Sequence, residues 1–180
     1  MKKSILLFFR TVVVLAALAN ASLAQLINFD VADLQDTVPG HDLWQYKYSI
    51  SGGTFQSGQI LSVSFDVGKY GNIENTPVAP NPDWSVLTLQ PDPQIPDSGS
   101  YNAIAQRSNP SLSGSFQVSF DWLGGGTGPG AQSWTLFNSD FSTAASGTTI
   151  APVPEPFSAT ATVLLLSGVA MWRIRRRMTP

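Results

Sequence analysis

The chain has no cysteine, a single histidine and little charge: only 12% of its 180 residues are Asp, Glu, Lys or Arg, about half the share of an ordinary globular protein. Without cysteine there are no disulfides, no zinc–thiolate sites and no thiol nucleophile, and His41 alone cannot supply an imidazole pair for a transition metal. The 43% of apolar residues excludes a disordered polymer, which is poor in groups to bury.

The little charge present is segregated. Lys2, Lys3 and Arg10 lie at one end and Arg173, Arg175, Arg176 and Arg177 at the other. Between Gln25 and Glu155, three basic residues face all twelve acidic ones, a net of −9. An acidic body between basic, apolar flanks is a poor match to a phosphate backbone, so nucleic acid is excluded as a partner. At the N-terminus the basic residues precede an uncharged run, Val12 to Ala19, and then Asn20, Ala21 and Ser22. That order predicts a secretory signal peptide over 1–24, with the small side chains of Ser22 and Ala24 at the −3 and −1 positions of the signal peptidase site and a mature start at Gln25.

At the C-terminus, Pro154, Glu155 and Pro156 precede an uncharged segment, Phe157 to Trp172, which ends on the four arginines. As a helix, 157–172 would be about 24 Å long, short of the ~30 Å hydrocarbon core. Snorkelling of Arg173, interfacial Trp172 and local thinning of the bilayer would make up the difference. The arginines would hold that end in the cytoplasm and place the acidic body on the far side, in agreement with the signal peptide. The two prolines fix φ and remove two N–H donors, so Pro154–Pro156 stays extended ahead of the helix, the form in which peptidase clefts bind substrates.

The series Pro-Glu-Pro, short span, basic stop, with a signal peptide at the front, resembles the PEP-CTERM sorting signal, a tail also described as an ice-binding-protein C-terminal domain. The resemblance covers about the last 30 residues, 151–180. It implies a protein exported by a Gram-negative bacterium. It further implies that an exosortase, a membrane transpeptidase, recognises Pro154, Glu155 and Pro156 and removes the helix, so that the chain is a substrate of catalysis. Its relatives are associated with extracellular polysaccharide and biofilm matrix.

The body, 25–150, is predicted to be all-β. Trp44, Tyr46, Tyr48 and Ile50 alternate with polar residues, as do Leu61, Val63, Phe65 and Val67, and Phe116, Val118, Phe120 and Trp122; a period of two is that of half-buried strands. Ile27–Val31, Trp84–Leu89, Tyr101–Ala105 and Ser133–Phe137 are shorter candidates, and Ser139–Thr149 leaves room for an edge strand. About seven strands separated by Gly, Pro, Asn and Ser clusters predict an antiparallel β-sandwich, Ig-like or jelly-roll-like.

Catalytic residue types are scarce. The glycines from Gly124 to Gly130 lack the lysine of a phosphate loop, no Gly-x-Ser-x-Gly elbow occurs, and His41 reads as a loop residue. Asp30, Asp33, Asp36 and Asp42 are the candidates for calcium, without EF-hand spacing. No cofactor is expected. Trp44, Trp122 and Trp134 are predicted core residues, and Trp84, beside Pro82 and Asp83, the most exposed. The leading expectation is a non-enzymatic structural or adhesive protein of the envelope or matrix. The alternatives are a carbohydrate-binding module using exposed tryptophan and a secreted hydrolase.

Overall fold

A computed structural model describes residues 25–126 and 128–152; the expected signal peptide and the tail from Val153 lie outside the described residues. Nine strands follow one another: β1 (Leu26–Asp33), β2 (Leu43–Ser51), β3 (Ile60–Phe65), β4 (Tyr70–Gly71), β5 (Trp84–Leu89), β6 (Gly99–Ala105), β7 (Phe116–Trp122), β8 (Ser133–Phe137) and β9 (Thr143–Thr148). They form two antiparallel sheets, ordered β1-β2-β7-β4 and β5-β6-β3-β8-β9. All seven strands expected from alternation are present, the Ser139–Thr149 segment supplies β9, and β4 is an addition. One boundary moves. The strand expected to run to Val67 stops at Phe65, because Gly68, at φ 81°, turns the chain and Lys69 N–H donates to Asp66 O.

The alternation places every second side chain between the sheets. Tyr46, Tyr48 and Ile50 from β2 and Val118 and Phe120 from β7 meet Leu61, Val63 and Phe65 from β3 and Tyr101, Ala103 and Ala105 from β6, all buried. Aromatic rings dominate this layer. Phe120 stacks on Tyr46 at 5.0 Å between centroids and meets Tyr70 edge-on at 5.1 Å and Phe65 at 5.6 Å. Such offset and edge contacts add about 0.5–1.5 kcal/mol per pair to the burial of the rings themselves.

Polar groups inside the layer are matched to partners. The Tyr48 hydroxyl donates to Gln132 Oε1 at 2.5 Å, and Gln132 Nε2 donates to Ser64 O at 3.0 Å. Gln132 thereby ties both sheets to the segment before β8. Thr149 closes the same region, accepting from Gln132 N–H through its hydroxyl and donating its own N–H to Gln132 O. One residue further on, Ile150 pairs with the outer edge of β1: Phe29 N–H donates to Ile150 O and Ile150 N–H to Ile27 O. That edge is therefore covered, which blunts it against stray pairing.

Tyr101 is an exception, as are Trp122 Nε1 and Gln25 Nε2. The Tyr101 side chain is fully buried, and its hydroxyl has no hydrogen-bond partner among the described residues. Tyr101→Phe removes a desolvated polar group and nothing that is bonded to it, so it should raise stability by about 1 kcal/mol. A lower urea midpoint for the variant would show that the hydroxyl is satisfied.

Candidate functional site

The sheet order β2-β7-β4 determines which polar residues meet. Asp121 on β7 sits opposite Leu43 on one side and Gly71 on the other. His41 lies two residues before β2 and Asn72 directly after β4, so both reach the same carboxylate. His41 Nδ1 contacts Asp121 Oδ2, and Asn72 Nδ2 donates to the same oxygen at 2.6 Å. Asp121 is 5% exposed, whereas the His41 side chain is 44% exposed. Asn72 adopts φ 45°, a left-handed conformation that asparagine tolerates better than most residues.

A histidine whose Nδ1 rests on a buried carboxylate is oriented as a base, with Nε2 free of that contact. Nucleophilic catalysis needs a third group, a hydroxyl in contact with the ring. Among the described residues the hydrogen-bond partners of the His41 ring are Asp121 and Asn72, neither of which is a nucleophile. What the cluster does is pin the 34–42 connection to the sheet, with help from Trp122 N–H, which donates to Asp42 O at 2.7 Å, and Leu34 N–H, which donates to Leu43 O at 2.8 Å.

Beside it lies an open cleft of about 650 Å³ lined by Val67, Tyr70, Asn72, Ile73, Pro91 and Leu123 among others. Its most conspicuous amide is already engaged. Gln90 Oε1 accepts from Ile73 N–H at 2.9 Å, and Gln90 Nε2 donates to Ile73 O at 2.5 Å and Asn75 Oδ1 at 3.0 Å. The cleft thus offers apolar walls and few polar groups with free capacity.

The four aspartates considered for calcium do not converge. Asp30 pairs across the strands with Lys47, Asp36 accepts from Leu43 N–H at 2.8 Å, and Asp42 accepts from the Trp44 indole at 2.7 Å. Among the described residues no three His, Asp or Glu side chains gather as metal ligands would.

The tryptophans require a correction. Trp84, expected to be the most exposed, is 3% exposed and sits between Phe55 and Phe116, each edge-on at 5.0 Å, with its indole N–H donating to Ser111 O at 2.8 Å. The turn at Asn81–Trp84 directs the ring inward, in phase with the buried face of β6, to which β5 is paired. Trp134 is buried as expected, while Trp44 and Trp122 are half-buried at the end of the sandwich. The glycine-rich turn explains their state. A Cβ at Gly124 would lie 2.3 Å from the Trp122 ring and one at Gly128 2.6 Å from the Trp44 ring. Glycine is needed here for close approach, so Gly124 and Gly128 lie against the two indoles.

Ser22, Ala24, Pro154, Glu155, Pro156, Arg173, Arg175, Arg176 and Arg177, together with the expected helix 157–172, lie outside the described residues. Sequence reasoning did not find Asp121 or Asn72 as partners of His41. Asp121 occupies a polar phase of an alternating strand and is 80 residues from His41, so no local pattern connects them. No protein-family model matches the chain, and no curated protein matches it.

Proposed function

We propose that the protein is an exported, non-enzymatic component of the cell envelope or extracellular matrix, delivered through a signal peptide and sorted by an exosortase acting on its PEP-CTERM tail. The observation that carries this reading is the order Pro154-Glu155-Pro156, uncharged 157–172, Arg173–Arg177. A helix-breaking recognition strand, a short span and a basic stop follow one another there as membrane-coupled processing requires. The fold lends support: among the described residues the first strand begins at Leu26 and the last backbone pairing is at Ile150. Cuts after Ala24 and near Pro154 would therefore leave every described strand in place. The nested pairings of β3 with β6 and β8, and of β7 with β2 and β4, favour the jelly-roll-like over the Ig-like form of sandwich. A structural or adhesive role, in a matrix that includes polysaccharide, suits a body in which the His41 ring contacts, among the described residues, Asp121 and Asn72 and no nucleophile.

Processing has a direct test. Mass spectrometry of the protein from its host should find no peptide from Phe157 onward. Replacing Pro154, Glu155 and Pro156 together by alanine should leave uncut chain in the inner membrane. Normal release of that variant would dispose of the motif assignment.

A further inference from the structure

The two sheets differ in a way that processing does not explain. The four-stranded sheet carries Asp30, Asp33, Lys47 and Asp121 in its strands. The five strands of the other sheet, β5, β6, β3, β8 and β9, contain no aspartate, glutamate, lysine, arginine or histidine. Their registers align the outward side chains in rows across the sheet. One row is Ile104, Ile60 and Phe137; the next runs Leu87, Asn102, Ser62, Thr135 and Ser146. Leu87 and Leu89 at one border are 42% and 58% exposed. The opposite border, β9, is an edge strand without charge or proline, the two features by which edges are ordinarily guarded.

We infer that this charge-free face of the five-stranded sheet is a self-association surface, on which a second copy of the chain stacks about a two-fold axis. Charge decides the occupant. Two bodies each carrying a net of −9 between Gln25 and Glu155 repel wherever their acidic loops or the four-stranded sheets would meet. The five-stranded face is the sheet surface on which they touch without opposing like charges. Each of its polar side chains is a neutral hydroxyl or amide that can both donate and accept, as a self-complementary, isologous contact requires.

Size sets the strength. Five strands about 4.8 Å apart, each with three outward residues, cover roughly 20 Å by 20 Å. Two such faces bury on the order of 1,000 Å², the low end for a specific interface, so the contact forms and dissociates with concentration. Self-contact through this face does not depend on whether the tail is cut, and its failure would leave the sorting reading untouched.

The cysteine-free sequence provides the test. Ser62 is the middle outward residue of the middle strand, so its twin would sit near the two-fold axis. In the full chain, Ser62→Cys and, separately, Thr135→Cys should give dimers cross-linked by a short bismaleimide, which spans the roughly 10 Å between stacked sheets, several-fold more than Ser49→Cys on the exposed face of the four-stranded sheet. Adding Asn102→Asp to the Ser62→Cys chain should reduce linkage to the Ser49→Cys level, because each copy then brings an unpaired carboxylate into the contact beside the two-fold axis. Far-ultraviolet circular dichroism checks that each variant folds. If Ser62→Cys and Thr135→Cys link no better than Ser49→Cys, the surface is not an interface between copies.

Discussion

Raising the pH past about 10 should destabilise this protein steeply, with about 4 kcal/mol lost by pH 11. The chain has four tyrosines, and Tyr46, Tyr48, Tyr70 and Tyr101 are all at most 5% exposed. Burial pushes each phenol up from its ordinary value of 10.0. Tyr46 is pushed further by its contact with Tyr70, and Tyr101 by the nearby negative charge of Glu74. The folded state therefore keeps its phenols protonated at a pH where unfolded tyrosines have released their protons. Below about pH 10 both states hold the protons and nothing is lost. Above it the unfolded state binds fewer protons, so stability falls by up to about 1.4 kcal/mol per pH unit for each tyrosine. Tyr46, Tyr48 and Tyr101 together remove an amount close to the lower end of the whole stability of a domain, about 5–15 kcal/mol, and Tyr70 adds to it in the same direction. Tyrosinate absorbance and near-ultraviolet circular dichroism, followed together, should change in one cooperative step. A separate phenol titration near pH 10 with the fold intact would mean that at least one hydroxyl reaches water.

The same tyrosines illustrate what the sequence makes legible. Tyr46 and Tyr48 belong to an alternating run whose inward phase is apolar or aromatic at four successive positions, and the period of two is a direct imprint of the pleat. Phe116–Trp122 and Ser133–Phe137 can be read the same way, because a strand buried on one face must declare that face. Tyr70 could not be found so. It lies in a strand of two residues, too short to show any period, and it is placed by the turn at Gly68 and by pairing with Trp122. The His41–Asp121–Asn72 cluster is illegible for a related reason: Asp121 lies on β7 while His41 precedes β2 and Asn72 follows β4, and these segments become neighbours only through sheet order. The neutral character of the five-stranded sheet is written openly in the residue types. That its outward positions align into continuous rows follows only from the registers.

Trp84→Ala should cost about 3–5 kcal/mol, as a large aromatic side chain removed from a packed interior does. The misreading of this residue came from its neighbours. Pro82 and Asp83 suggest a surface turn, and the turn is there, with Asp83 N–H donating to Asn81 Oδ1 and Trp84 N–H to Asn81 O. The direction of the next side chain is set by pairing: Trp84 lies opposite Ala105, the last inward residue of β6. The ring then fills the end of the sandwich between Phe55 and Phe116, and its N–H satisfies Ser111 O. Alanine would leave a cavity beside two aromatic rings, and Ser111 O would keep its bond from Asn81 Nδ2 at 3.0 Å. Phenylalanine would keep most of the volume and lose the hydrogen bond, so Trp84→Phe should cost about 1–2 kcal/mol. Urea unfolding of both variants separates the two contributions. If Trp84→Ala shifts the midpoint no more than a surface substitution would, the indole lies at the surface after all, and the exposed-tryptophan route to carbohydrate binding returns with it.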